Sequence, residues 1–231
     1  MYLIECSTMQ FKIIGDNMQA LLFSLSQGEQ VYAQAGSLLY YRGDINMDSA
    51  TLGGLLKSIS RNIFTGENLF MSVFTCQSAG ELALAAPYPG KIIHIPLQGQ
   101  EFIASKGSYL CSIGQIDVSV TVVKKLRAGL FGGQGFILQK ISGYGDVFLH
   151  SGGNFVEINL VPGEVLMLDT GCLVLMEASV DYSVEYVGKL KNYFFGGEGM
   201  FLAKLTGPGK VIVETLPFYR LIGLIASVRV A

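Results

Sequence analysis

Phe131-Gly132-Gly133-Gln134-Gly135-Phe136-Ile137-Leu138 recurs as Phe195-Gly196-Gly197-Glu198-Gly199-Met200-Phe201-Leu202. A weaker copy stands earlier, as Phe64-Thr65-Gly66-Glu67-Asn68-Leu69-Phe70-Met71. The middle glycines Gly66, Gly133 and Gly197 are separated by 67 and 64 residues. One shared motif can arise by accident, so the flanking register has to agree. Glycines eight apart precede each copy: Gly28 and Gly36, Gly99 and Gly107, Gly163 and Gly171, with separations between copies of 71 and 64. A glycine turn follows each copy, at Gly80, Gly145 and Gly209, 65 and 64 residues apart. Landmarks that keep order across three copies define an internal repeat of about 64 residues. The extra residues of the first copy fall mainly around Thr51 to Leu55.

Each copy consists of short runs of Val, Ile, Leu, Phe and Tyr that end at Gly, Pro, Asn or Asp, the pattern of strands and turns. Ile116 to Val123 places apolar residues at every second position, as a half-buried strand requires. Asp181 to Val187 shows a similar spacing one copy later. Helix signals are few. Leu52 to Asn62 is one candidate, and Pro217 to Ala226 is another, with Pro217 at its first turn. The expected fold is all-β, with three diverged repeats in pseudo-threefold arrangement and at most two short helices. A single domain spans 1–231, with repeats at about 20–90, 91–155 and 156–217 and a short C-terminal segment, 218–231.

Half of the 231 residues are hydrophobic, only 15% are charged, and mean hydropathy is +0.45. That is high for a soluble monomer. The longest apolar stretches fall short of the ~20 residues of a spanning helix, and Asp169 interrupts one of them. Met1 to Cys6 does not read as a signal peptide. The expectation is a cytoplasmic homo-oligomer, a trimer or a multiple of it, that buries the apolar excess between subunits and pairs leftover strand edges. A net charge of −2 argues against nucleic acid as a partner.

Chemistry-bearing patterns are sparse. Cys6, Cys76, Cys111 and Cys172 lie far apart, without metal or redox spacing, and read as reduced, buried thiols. His94 and His150 have no carboxylate or cysteine at ligand spacing, whereas zinc needs three or four ligands. The Gly-Gly motifs lack the Gly-Lys-Ser/Thr of a phosphate loop and do not open a helix. Asp44, Asn46 and Asp48 match only the start of a calcium loop. No serine stands in an elbow or triad context. No catalytic residue, cofactor site or metal site is therefore expected, and Gly66, Gly133 and Gly197 read as structural turn glycines.

One charge pattern follows the repeat. Lys57 and Arg61, then Lys124, Lys125 and Arg127, then Lys189 and Lys191, precede the three glycine motifs by similar distances. The ordinary reading is solvated strand ends. The sharper one is three basic spots that contact an anionic lipid surface or an acidic protein partner, each residue contributing about 1 kcal/mol.

Gly28-Glu29-Gln30-Val31-Tyr32-Ala33-Gln34-Ala35-Gly36-Ser37-Leu38-Leu39-Tyr40 resembles the N-terminal signature of the altered-inheritance-of-mitochondria twenty-four, or mitochondrial biogenesis, family. Phe64 to Glu67 with Leu69-Phe70, Gly197-Glu198-Gly199 with Leu202 to Gly207, and Val213-Glu214-Thr215-Leu216-Pro217 resemble its later signatures. The resemblance implies a fold similar to the tryptophan RNA-binding attenuation protein, usually trimeric, and brings no catalytic residues with it. Kinship with an RNA binder does not confer RNA binding. The expected function is a non-enzymatic oligomeric scaffold or interaction protein with a membrane-surface association. The alternative is a small-molecule binding protein, or a weak enzyme, with a pocket between repeats. If the basic spots meet lipid, the chain co-sediments with anionic liposomes, and Lys124, Lys125 and Arg127→Ala weakens that binding. Binding left unchanged by the substitutions contradicts it.

Overall fold

The computed structural model describes residues 9–51, 70–122, 137–186 and 201–228. These residues form fourteen strands, one short 3-10 turn at Thr170–Cys172 and one α-helix, α1 (Phe218–Val228). The strands are β1 (Gln10–Ile14), β2 (Ala20–Ser26), β3 (Gln30–Gln34), β4 (Leu38–Thr51), β5 (Phe70–Ala85), β6 (Gly90–Ser105) and β7 (Tyr109–Val122), followed by β8 (Ile137–Gly152), β9 (Phe155–Leu160), β10 (Val165–Asp169), β11 (Leu173–Glu177), β12 (Asp181–Tyr186), β13 (Phe201–Thr206) and β14 (Gly209–Glu214). The fold is all-β and its named strand pairs are antiparallel. The strand expected over Ile116 to Val123 is the second half of β7, and that over Asp181 to Val187 is β12. The C-terminal helix starts one residue after Pro217, whose carbonyl accepts the Arg220 N–H. The helix expected over Leu52 to Asn62 lies outside the described residues. No helix among those described is long and apolar enough to cross a membrane.

Alternation builds the strands. In β2 the inward residues are Leu21, Phe23 and Leu25, and in β3 they are Val31 and Ala33. The two strands run end to end along one edge of β5 in one register, Ala20 facing Ala85 and Gln34 facing Met71. Between them the chain turns at Gly28, whose φ of +83° is one that side-chain-bearing residues rarely adopt. Gly99 within β6 and Gly163 between β9 and β10 hold the same left-handed conformation. The second member of each glycine pair, Gly36, Gly107 or Gly171, lies in the turn that leads to the next strand.

Pairing follows one rule three times. β2 and β3 pair with one edge of β5 while β4 pairs with the other. β6 and β7 flank β8 in the same way. In the last set β9 and β10 lie on one edge of β14 and β13, and β11 and β12 on the other. Two seams join the sets. At the first, Tyr32 and Ala33 of β3 pair with Ser112 and Cys111 of β7. At the second, Ile103 and Ala104 of β6 pair with Met176 and Leu175 of β11. The result is an eleven-stranded sheet, with β10, β13 and β12 as a separate three-stranded one.

The cores straddle the seams. Leu110, Cys111 and Ile113 of β7 pack with Phe23, Val31 and Phe74 of the first set. Val174 and Leu175 of β11 pack with Ile93, Ala104 and Leu149. Phe148 sits edge-on to Phe11 and Phe23, with centroids 4.8 and 5.5 Å away. Each such buried side chain contributes about 2 kcal/mol of transfer free energy. Hydrogen bonds add direction: the Tyr109 hydroxyl donates to the Tyr32 carbonyl (3.0 Å), and the Ser108 hydroxyl to that of Val174 (3.2 Å).

Glycines face one another between paired strands, Gly43 opposite Gly80 on β4 and β5 and Gly114 opposite Gly145 on β7 and β8. Gly114 has φ +88°, and a Cβ there would sit 2.7 Å from the Tyr144 carbonyl oxygen and 2.9 Å from the Gly145 Cα. Gly114→Ala is therefore expected to cost about 1–3 kcal/mol in urea denaturation. Gly107→Ala, where nothing lies within 4 Å of a new Cβ, should be close to neutral. Equal effects at the two positions would contradict the packing account.

Candidate functional site

The described surface concentrates apolar side chains in three places. Leu39, Tyr40, Tyr41 and Met47 are exposed along β4, and Val165 and Met167 along β10. Phe218, Ile222 and Ile225 are exposed on α1. Among the described residues β4 pairs as a strand only with β5 and β10 only with β13, so each offers an open edge. α1 is fastened at the end of β10. Asp169 accepts hydrogen bonds from the Tyr219 hydroxyl, from Arg220 Nη2 (2.9 Å) and, through its other oxygen, from the Gly171 N–H (3.1 Å). Burial first, then the hydrogen bond to Asp169, pushes the Tyr219 phenol up to about 12, so it remains a donor at neutral pH.

Gly66, Gly133 and Gly197 all lie outside the described residues. So do Lys57, Arg61, Lys124, Lys125, Arg127, Lys189 and Lys191. The open edges on β4 and β10 were missed by motif reasoning, because an exposed Leu-Leu-Tyr-Tyr run reads the same as a buried one.

The histidines occupy structural settings. His94 Nε2 meets Asp146 Oδ1 at 2.6 Å, and its ring stacks on Phe148 with a centroid distance of 5.1 Å. His150 is buried against Gly90 and edge-on to Tyr88 at 4.5 Å. Burial pushes it down to about 4, opposed in part by the backbone of Tyr88, so its imidazole is neutral at pH 7. Cys76, Cys111 and Cys172 are free and buried, and burial holds the thiols of Cys111 and Cys172 well above the usual range. Among the described residues no three His, Cys, Asp or Glu side chains converge as metal ligands.

Glu214, on β14, is a partly buried carboxylate. Its Oε2 accepts the Gly152 N–H at 2.6 Å, yet burial outweighs this and pushes the carboxyl up to about 7 from 4.5. A raised folded value means that the stability from the neutral form is complete below pH 4.5 and is lost as pH rises through about 7. His150 acts oppositely: its contribution is present above pH 6.5 and is lost as pH falls through about 4. The Glu214 effect is isolated by Glu214→Gln, which keeps an acceptor for Gly152. Relative to wild type, that variant should gain on the order of 2 kcal/mol between pH 5 and pH 8, after discounting for solvent screening. Parallel stability profiles in chemical denaturation would contradict it.

Comparisons with known proteins agree with this architecture. An uncharacterized protein of Streptococcus pyogenes serotype M6 is 26% identical over 199 residues, covering 83% of this chain and 79% of the relative. The X-ray crystal structure of protein SPYM3_0169 from Streptococcus pyogenes superposes with a TM-score of 0.75 at 22% identity, covering 95% of this chain and 99% of that one. At that identity the likeness concerns the fold. The description "Mitochondrial biogenesis AIM24" matches residues 11–216, in keeping with the signatures at Gly28 to Tyr40 and Val213 to Pro217. The chain belongs to the mitochondrial biogenesis AIM24 family.

Proposed function

We propose that the protein is a non-enzymatic, homo-oligomeric scaffold or interaction protein, a trimer or a multiple of it, that acts in the cytoplasm and associates with a membrane surface. The observation that carries this reading is the exposure of Leu39, Tyr40, Tyr41, Val165 and Met167 along two open strand edges. Open apolar edges template further pairing, and natural sheets ordinarily shorten, charge or cover them. Here β4 is fourteen residues long and opens with Leu38-Leu39-Tyr40-Tyr41. A solvated function does not call for that run, whereas an intersubunit contact does.

The pseudo-threefold reading is supported by the pairing rule common to the three strand sets and by the left-handed glycines Gly28, Gly99 and Gly163 at matching places. Buried, unpaired thiols at Cys76, Cys111 and Cys172 favour a reducing compartment. The exposed apolar residues Phe218, Ile222 and Ile225, beside Arg220, suit α1 to the headgroup boundary of a membrane.

Light scattering coupled to size exclusion tests the reading. The purified chain at micromolar concentration is expected at the mass of a trimer or a multiple of it. A monodisperse monomer contradicts it.

A further inference from the structure

Aligning the strand sets by their pairing partners fixes which residues are equivalent. Tyr41, Ser112 and Met176 face Leu82, Val147 and Val211, each two residues beyond Gly80, Gly145 and Gly209. Ala33, Ala104 and Leu168 face Ser72, Gln139 and Ala203, each the third residue of its strand. With this register the two seams are the same seam. Ala33 with Cys111 corresponds to Ala104 with Leu175, and Tyr32 with Ser112 to Ile103 with Met176. The rule generates one further seam of two pairs, Leu168 with Tyr40 and Met167 with Tyr41.

That third seam is not made within the described chain, and its residues show it. Leu110 and Val174, beside the made seams, are 1% and 0% exposed, whereas their equivalent Leu39 is 55% exposed. Cys111 and Leu175 are 0% and 2% exposed, and Tyr40 is 45% exposed. Continuous apolar runs belong to strands covered on both faces. Tyr109 to Cys111 and Leu173 to Met176 are such runs and are buried; Leu38 to Tyr41 is such a run, yet three of its four residues are exposed. The sheets tell the same story. Each made seam joins two three-stranded halves into a continuous path, β4-β5-β3-β7-β8-β6 and then β7-β8-β6-β11-β14-β9. The halves that flank the unmade seam stand apart, β12-β13-β10 on one side and β4-β5-β2-β1 on the other.

We propose that a second copy of this chain completes the seam: β10 of one protomer pairs antiparallel with β4 of the next, Leu168 opposite Tyr40 and Met167 opposite Tyr41. The contact is head-to-tail, so each protomer offers one edge and receives the other, and successive copies close into a ring or extend as a filament. The three-stranded sheet of one copy thereby continues into β4, β5, β2 and β1 of its neighbour. α1, tied to β10 through Asp169, stands beside the joint. This inference rests on the oligomeric reading above and specifies its surface and register.

The test uses the full chain with Cys6→Ser, the other three cysteines being buried. Chains carrying Tyr40→Cys alone and Leu168→Cys alone are refolded together and oxidised, with mass measured by light scattering throughout. A disulfide between unlike chains is expected in the mixture. Tyr40→Cys with Val165→Cys, about 10 Å out of register, should give at least ~tenfold less. A second pair reads the same joint without cross-linking: Tyr41→Lys with Met167→Lys is expected to dissociate the assembly, and Tyr41→Glu with Met167→Lys to restore it. An assembly that forms no such disulfide and ignores both charge pairs overturns the register while sparing the oligomeric reading. A monomer overturns both. A double-cysteine chain that cross-links only within itself shows the seam closing inside one protomer and overturns the proposal.

Discussion

The strand that receives pairing on both edges is the constraint on which this structure depends. β5, β8 and the line formed by β13 and β14 each accept the preceding strands of their set on opposite sides. A one-residue slip would turn every inward side chain outward, because side chains alternate with a period of two. Phe74, Leu82 and Leu84 on β5, or Ile141, Val147 and Leu149 on β8, would then leave the core clusters they fill. Register is therefore fixed by the core. Once it is fixed, the seams, the facing glycines and the exposed edges all follow.

The same constraint explains why chemistry-bearing residues are scattered. His94 and Asp146, 52 positions apart in sequence, meet because β6 and β8 pair in that register. Burial keeps His150 neutral at pH 7 and shifts Glu214 towards its neutral form. These groups adjust stability with pH and lock strands together. A molecule organised this way places its distinctive features on its margins, where two edges and a helix are left with apolar surface.

Much of the fold was legible in the sequence, for a physical reason. Gly28, Gly99 and Gly163 recur because the first strand of each set must bend where only glycine is at ease. The alternation in Ile116 to Val123 shows because β7 is half-buried there. The candidate site was much less legible. Leu38 to Tyr41 and Leu173 to Met176 are alike in composition, and only three-dimensional pairing reveals that one run is covered and the other open. The pairing of Tyr219 and Arg220 with Asp169 joins a helix to a strand fifty residues away, with no local motif to announce it.

Backbone amide hydrogen exchange over the open edges tests the account most directly. In the assembled protein at micromolar concentration, amides in 39–42 and 165–168 are predicted to exchange as slowly as those in 110–113, which lie beside a seam already made within the chain. Exchange at 39–42 and 165–168 as fast as in exposed turns, while 110–113 stays protected, would contradict the claim that these edges are two halves of one joint.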